Sequence, residues 1–269
     1  MHNRHLIDVK GLGMGVAYSP LEGLRLAGRL LEGRPEPVGV ERYAVSTEDM
    51  DYRLRPDLGE IDILLLEITV HTNVMLGELC LNRCPILTHF IAGLGEPHEP
   101  AHHLGLRWFS HGLMKRDEEV RRETVELLLQ QIQGTPLDTD DTRMLITQAR
   151  GERESVERMV EHTAALQALI GAPRLVVVYG PNQFLPDGRG ISWHANLEAD
   201  ARELATRLDA AFVSIGELVR ERGFDFAVLP DMTHHTERFM GVIGDAVLAA
   251  AHEHYGALRP LFGRSAQGA

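Results

Sequence analysis

Hydrophobic positions along most of the chain follow two alternating patterns, short continuous runs and stripes at helical spacing. The run Ile63-Leu64-Leu65-Leu66 predicts a strand over 61–70 that is buried on both faces. A second apolar run predicts a buried strand over 175–179, and apolar residues three and four apart predict helices over 152–170 and 237–255. Weaker patterns predict strands at 6–10, 38–45, 85–91 and 211–214 and helices at 117–133 and 197–208.

Strands that alternate with helices favour a parallel sheet covered by helices on both faces. We therefore predict an α/β fold with three layers, α/β/α, a mostly parallel sheet and a site at the carboxyl ends of its strands. Residues 92–150 depart from the alternation with a histidine-rich loop, a charged helix and a polar connection, which indicates a helical insertion. We expect one domain over 1–261 and a flexible tail over 262–269.

Charge and composition narrow the classes of partner. The chain has 39 acidic and 27 basic side chains and a net charge of −12, so its surface repels phosphate backbones and we expect no nucleic-acid partner. We find no signal-peptide core and no apolar run of ~18 residues, so we expect a cytoplasmic protein without a membrane partner. Cys80 and Cys84 form no disulfide framework; their spacing suggests two buried thiols on one helix face.

The motif Asp231-Met232-Thr233-His234 directly precedes the last predicted helix. A carboxylate three residues before a histidine can hold the imidazole in one tautomer and raise its basicity. The alternative is an ordinary helix-entry loop in which Asp231 accepts backbone N–H groups. His235 is a second candidate base, because the sequence does not determine which histidine turns inward.

Glycines follow the first predicted strand, at Gly11, Gly13 and Gly15. They suit a tight turn without Cβ clashes, or a backbone cradle for an anion at a helix start. The next helix begins at Ser19-Pro20-Leu21-Glu22, where Ser19 suits the N-cap and Pro20 the first helical position.

Three places in the sequence resemble the SGNH (GDSL-type) hydrolase family. Asp231 and His234 match its closing Asp-x-x-His motif, and Gly11-Leu12-Gly13 stands where the family has Gly-Asp-Ser. The end of the third strand, Glu67-Ile68-Thr69-Val70-His71-Thr72-Asn73, matches the family's glutamate and valine. The resemblance implies a fold of the SGNH or flavodoxin-like type.

The same resemblance implies that His234 is the general base and that Asp231 orients it. It places the substrate and oxyanion contacts at Gly11, Gly13, Thr47, His71 and Asn73. Asn182 is a further candidate to line the substrate cleft, because it follows the strongest predicted strand. Gly13 occupies the nucleophile position and has no side chain to attack a carbonyl. Either Ser19 or Ser46 replaces the nucleophile, or His234 activates water or a substrate hydroxyl directly.

We therefore expect a divergent hydrolase or acyltransferase acting on an acyl ester of a small molecule or carbohydrate, without a cofactor or metal. A non-catalytic ligand-binding relative is one alternative. A metal-dependent enzyme using His98, His102 and His103 is another, although a solvated histidine loop explains the same residues. The sequence gives no expectation for the oligomeric state.

Overall fold

The computed structural model describes residues 19–32, 43, 62–180, 195–229 and 235–256. The chain divides into two compact units. Unit 1 comprises Met1–Gly13, Asp57–Glu67 and Gly171–Ala269, and unit 2 comprises Met14–Pro56 and Ile68–Ile170. The fold is mixed α/β, with one mostly parallel sheet and one antiparallel sheet, so the predicted fold class is confirmed.

The strands are β1 (Ile63–Ile68), β2 (Thr72–Leu76), β3 (Leu79–Leu81), β4 (Arg150–Arg153), β5 (Arg174–Tyr179) and β6 (Ala211–Ser214). The longer helices are α1 (Pro20–Glu32), α2 (Pro100–Arg107), α3 (Glu118–Ile132), α4 (Asp140–Gln148), α5 (Val156–Ile170), α6 (Ala195–Arg207), α7 (Ile215–Arg222) and α8 (Glu237–Tyr255). Two π-helices, Ile86–Ile91 and Trp108–Met114, and short helical turns at Arg83–Pro85, Ala92–Leu94 and Phe224–Ala227 complete the described elements. None of the described helices combines the length and apolarity needed to cross a bilayer.

Sheet A lies in unit 1, apart from the last residue of β1, and has the strand order β1-β5-β6. β5 and β6 pair in parallel, with Val176 opposite Ala211 and Tyr179 opposite Ser214. Alternate residues of a strand point to opposite faces of its sheet. Val176 and Val213 pack in one apolar cluster with Phe239 of α8. On the opposite face, the Arg202 guanidinium of α6 lies 4.4 Å from the centroid of the Phe212 ring. Helices therefore cover both faces of sheet A, as predicted.

Helix α8 runs antiparallel to the strands of sheet A. At its carboxyl end, the Tyr255 hydroxyl donates to the Leu175 carbonyl at 2.7 Å and accepts from the Leu175 N–H at 3.1 Å. His254 Nε2 lies 2.8 Å from the carbonyl oxygen of Asp209, just before β6. The carboxyl end of α8 thus lies at the amino edge of the sheet. A 19-residue helix spans about 28 Å and a six-residue strand about 20 Å, so the amino end of α8 reaches the carboxyl edge.

Sheet B lies in unit 2 and has the antiparallel order β3-β2-β4. Gly77 begins the two-residue turn of the β2–β3 hairpin with φ +60°, a conformation that glycine adopts without a Cβ penalty. The core beside this sheet is built mainly from the two π-helices and α3, with Phe90, Trp108 and Leu128 fully buried. The predicted insertion therefore shares a hydrophobic core with β2 and β3, the strands that precede it.

Several predicted elements are confirmed with small changes at their ends. The helix predicted at 237–255 and the strand predicted at 211–214 have the observed bounds of α8 and β6. The helices predicted at 117–133, 152–170 and 197–208 correspond to α3, α5 and α6. In β1, Leu66 and Ile68 are buried but Leu65 is exposed, so the expectation of burial on both faces is wrong there. The predicted strand at 6–10 lies outside the described residues.

The strand predicted at 85–91 is wrong, because this segment is a helical turn that continues into a π-helix. The Asn82 side chain accepts from the Cys84 N–H at 2.8 Å and caps the turn. A short apolar run fits a buried helix as well as a strand. Tyr43 is also helical, so the strand predicted at 38–45 is wrong at its one described residue. Cys80 lies in β3, and it therefore does not share a helix face with Cys84.

The histidine-rich segment is helical where the sequence suggests a loop. Pro100 occupies the first turn of α2, where its missing N–H leaves no hydrogen bond unmade. His102 and His103 consequently lie on a helix, and the His102 Nδ1 is 3.1 Å from the Gly95 carbonyl oxygen. The prediction of a flexible loop is wrong for these two histidines.

Candidate functional site

Strands β1 and β5 end side by side at the carboxyl edge of sheet A. The Glu67 carboxyl lies directly against the backbone of Gly180, the residue after β5. A Cβ at position 180 would overlap Glu67 Oε1, so the close approach depends on glycine. In an open α/β sheet, this edge is where ligands bind.

The Glu67 carboxyl is partly removed from water even though the residue is solvent-exposed overall. This desolvation disfavours the charged form and raises the pKa of Glu67 above its ordinary value. The group therefore keeps its proton to a higher pH than an exposed glutamate. Such perturbed carboxyls are more frequent at functional sites than elsewhere.

The residues that flank the segment 230–234 pair with each other at the same edge. Val228 and His235 form an isolated antiparallel bridge, and the Thr236 N–H donates to the Ala227 carbonyl at 2.9 Å. The Thr236 hydroxyl donates to the Phe226 carbonyl at 2.7 Å and accepts from the Phe239 N–H at 3.2 Å, which caps α8. Both flanks of the segment 230–234 are therefore fixed beside the amino end of α8.

The His235 side chain packs against the core of unit 1. Its ring centroid lies 5.2 Å from that of Phe239, and the Phe239 side chain is fully buried. The bridge to Val228 also fixes the backbone at His235. These contacts give His235 a role in packing the start of α8 against the core.

Six of the predicted site residues lie outside the described residues, namely Gly11, Gly13, Thr47, Asn182, Asp231 and His234. The candidate nucleophile Ser46 does too. The assigned residues His71 and Asn73 are described, and both lie in unit 2.

Asn73 belongs to a buried polar network that links four elements of unit 2. The Ser19 hydroxyl donates to Asn73 Oδ1 at 2.6 Å, and Asn73 Nδ2 donates to Glu154 Oε2 at 3.0 Å. The other carboxylate oxygen, Glu154 Oε1, accepts from His162 Nδ1. Ser19, Asn73 and Glu154 are each at most 2% exposed, whereas His162 is partly open to solvent. The network ties the start of α1 to β2, the end of β4 and α5.

Ser19 and Asn73 have structural roles in this network. Ser19 Oγ accepts from the Glu22 N–H at 3.2 Å, which is the predicted helix cap, and its proton is directed at an amide oxygen rather than at a base. Asn73 uses both ends of its amide inside the network. The backbone carbonyl of His71 accepts from the Glu154 N–H at 2.7 Å. All three residues thus contribute contacts that hold unit 2 together.

Buried charges surround this network. Arg83 Nε lies 3.5 Å from Glu22 Oε1, and the Arg83 guanidinium also donates to the Thr72 carbonyl. Burial, followed by the Glu22 carboxylate, raises the pKa of the Cys80 thiol. Cys80 is therefore an inert thiol near neutral pH.

Within the part of the chain that the structure describes, no group of three or more histidine, cysteine, aspartate or glutamate side chains has the arrangement of a metal site. His98 is exposed and His102 contacts the Gly95 carbonyl, as given above. The described histidines therefore give the metal-dependent alternative no geometric support.

Sequence reasoning missed the contacts that join distant residues. Asn73 and Glu154 are 81 positions apart, and Glu154 reads from the sequence as one more acidic residue before a helix. Glu67 lies in the segment that resembles the SGNH family, but nothing in its neighbours along the chain indicates the contact with Gly180. The glycine that directly follows the strongest predicted strand, Gly180, was the one available signal.

Comparison with known proteins identifies a family for this chain. No curated protein and no solved structure matches the chain. The family model described as TviD N-terminal domain matches residues 7–250. This span includes every described helix and strand, except the last five residues of α8. By this match, the chain is a member of the TviD N-terminal domain family.

Proposed function

We propose that this protein transfers an acyl group to or from an oxygen atom at the carboxyl edge of sheet A, with His234 as general base and Asp231 as its orienting carboxylate. TviD, which gives the family its name, is a Vi antigen O-acetyltransferase-related protein. That description supports an acyltransferase-related role. An SGNH-type active site, an acyl ester substrate and a cytoplasmic location are the finer parts of the proposal.

The observation that carries the proposal is the direction of α8. Its carboxyl end is bonded to the amino edge of sheet A through Tyr255, so the loop that enters it begins and ends at the opposite edge. Asp231 and His234 lie between the fixed flanks Leu229 and His235, and only five residues separate those flanks. The chain connection therefore favours the carboxyl edge as the place of the Asp/His pair.

His234 is the better candidate base of the two adjacent histidines. The His235 ring packs against Phe239 in the core, and it therefore has little freedom to meet a substrate. The adjacent His234 is therefore the general base that we propose.

The proposed reaction needs no covalent intermediate. His234 removes the proton from a water molecule or an acceptor hydroxyl, whose oxygen forms a bond to the acyl carbonyl carbon. The tetrahedral intermediate then expels the leaving oxygen, which takes the same proton from the imidazolium. Gly13 at the nucleophile position and the buried, fully bonded Ser19 hydroxyl both favour this direct route.

Hydrolysis of p-nitrophenyl acetate by wild type, His234→Ala and His252→Ala tests the proposal. His252 is exposed on α8 and makes a matched control. We expect His234→Ala to lower kcat at least about 100-fold, a typical cost of losing general-base catalysis, and His252→Ala to leave it unchanged. Equal rates in the two variants would overturn the proposal. A fluorophosphonate probe should label none of the three proteins; labelling at Ser19 or Ser46 would contradict the direct route.

A further inference from the structure

The buried polar network of unit 2 ends on a histidine that reaches solvent. The Glu154 carboxylate accepts from Asn73 Nδ2 at 3.0 Å with one oxygen and from His162 Nδ1 with the other. The Glu154 side chain is 1% exposed, whereas the His162 side chain is 18% exposed. The imidazole of His162 therefore lies at the place where the network meets water.

The carboxylate that holds this imidazole is itself fixed in place. Glu154 directly follows β4, and its backbone N–H donates to the His71 carbonyl at 2.7 Å. The Asn73 amide that bonds one carboxylate oxygen accepts in turn from the Ser19 hydroxyl at 2.6 Å. Hydrogen bonds from three other elements thus fix both the backbone and the side chain of Glu154.

The contact with Glu154 determines which ring nitrogen of His162 carries the proton. An ionised carboxylate only accepts hydrogen bonds, so a neutral imidazole bonded to it through Nδ1 has its proton on Nδ1. The lone pair is then on Nε2. Within the described part of the chain, Nε2 of His162 has no hydrogen-bond partner. The ring is therefore oriented as a base, with one nitrogen available to a ligand.

We propose that His162 and Glu154 form a second general-base pair, in unit 2, which activates a hydroxyl group for attack on a carboxylic ester. His162 is the catalytic residue and Glu154 is a positioning residue. Nε2 of His162 takes the proton of water or of an alcohol, whose oxygen forms a bond to the ester carbonyl carbon. The tetrahedral intermediate then expels the leaving oxygen, which takes that proton from Nε2. The pair lies within unit 2, so the inference does not depend on His234.

The charges around the pair favour this proton transfer. A carboxylate bonded to Nδ1 stabilises the imidazolium that forms when Nε2 takes a proton, and Glu154 is a buried carboxylate of this kind. Two arginines near the pair each have another carboxylate partner: Arg83 Nε lies 3.5 Å from Glu22 Oε1, and Arg158 Nη1 lies 2.8 Å from Glu152 Oε1. The described partners of the Glu154 carboxylate are Asn73 and His162, so its negative charge acts on the imidazole.

Hydrolysis of p-nitrophenyl acetate tests the inference, with His234→Ala as the background of every variant. His162→Asn keeps an N–H donor for Glu154 but lacks Nε2, so it separates the base from the structural bond. We expect this change to lower kcat at least about tenfold, because general-base catalysis contributes about 10²–10⁴. Glu154→Gln should also lower kcat, with KM changed less than about twofold, because the charge acts in the transition state. His103→Ala removes an exposed imidazole of the same unit and should match the background.

A His162→Asn protein that is folded by circular dichroism and as active as His103→Ala would show that His162 is only structural, and would overturn the inference. A loss in His162→Asn without a loss in Glu154→Gln would overturn the role of the pair. These comparisons are separate from the test of the proposed function, because the background already lacks His234. If His234→Ala is as active as wild type, the proposed function fails while the comparison at His162 still decides the inference.

A measurement on His162 itself covers the case in which His162→Asn does not fold. In ¹⁵N NMR of the wild-type protein in alkaline buffer, where imidazoles are neutral, His162 should have its proton on Nδ1. A proton on Nε2 instead would leave no lone pair toward solvent and would overturn the inference.

Discussion

The buried network of unit 2 predicts a large loss of stability when Asn73 is truncated. Asn73→Ala removes two hydrogen bonds. The one from the Ser19 hydroxyl is worth about 1 kcal/mol, and the one that the Asn73 amide donates to the Glu154 carboxylate is worth about 1.5–3 kcal/mol. The expected decrease in the free energy of unfolding is about 2.5–4 kcal/mol. The side chain is 2% exposed, so water cannot replace either partner without opening the structure.

A double-mutant cycle isolates the bond between Ser19 and Asn73. Ser19→Ala loses the cap of α1, about 1 kcal/mol, and the same shared bond, about 1 kcal/mol. The double variant loses the shared bond once. Its destabilisation should therefore be about 1 kcal/mol smaller than the sum of the two single effects.

Urea unfolding followed by Trp108 fluorescence measures these effects in unit 2. Trp108 is fully buried in that core, and a Trp193→Phe background removes the second tryptophan of the chain. The midpoint should shift at constant slope, and Asn196→Ala, an exposed change on α6, should stay within about 0.5 kcal/mol of the parent. A loss below about 1 kcal/mol for Asn73→Ala, or additive effects with Ser19→Ala, would refute the network.

Three further predictions concern single positions. Because the pKa of Glu67 is raised in the folded state, the protein loses stability as the pH rises from the unfolded pKa through the folded one. Glu67→Gln lacks this ionisation, so in urea titrations its free energy of unfolding relative to wild type should be higher at pH 8 than at pH 4. With Ellman's reagent at pH 8, Cys84 should react in the native protein and Cys80 only after unfolding, and two equally fast thiols would contradict the burial of Cys80. Tyr255→Phe should destabilise the protein by about 1 kcal/mol in the same titrations, because it removes the hydroxyl that holds the end of α8; no change would contradict that anchor.

The sequence was informative where one periodicity dominates. The apolar stripe of α8 lies on one face of a helix, and the apolar run of β5 is buried along almost the whole strand. The pattern alone therefore predicts where each element begins and ends to within one residue. The segment 85–91 misled because apolar runs of six or seven residues fit a strand and a π-helix equally well. The antiparallel hairpin of β2 and β3 was missed, although Gly77 marks its turn.

The candidate site was accessible from the sequence only through linear motifs. A carboxylate and a histidine three residues apart are visible along the chain, whereas the contact of Glu67 with Gly180 joins residues 113 positions apart through the pairing of β1 and β5. The same holds for Ser19 and Asn73, whose separation of 54 positions hides a direct hydrogen bond. Local capping chemistry predicted Ser19 correctly because its partner Glu22 is three residues away.

The pairing of Asp231 with His234 is the assumption on which the proposed chemistry depends most. NMR titration of the histidine ring protons in wild type and Asp231→Asn measures it directly, with the exposed His252 as internal reference. A carboxylate within hydrogen-bonding distance stabilises the imidazolium, so the substitution should lower the pKa of His234 by about 1. An identical His234 titration in both proteins would contradict the account.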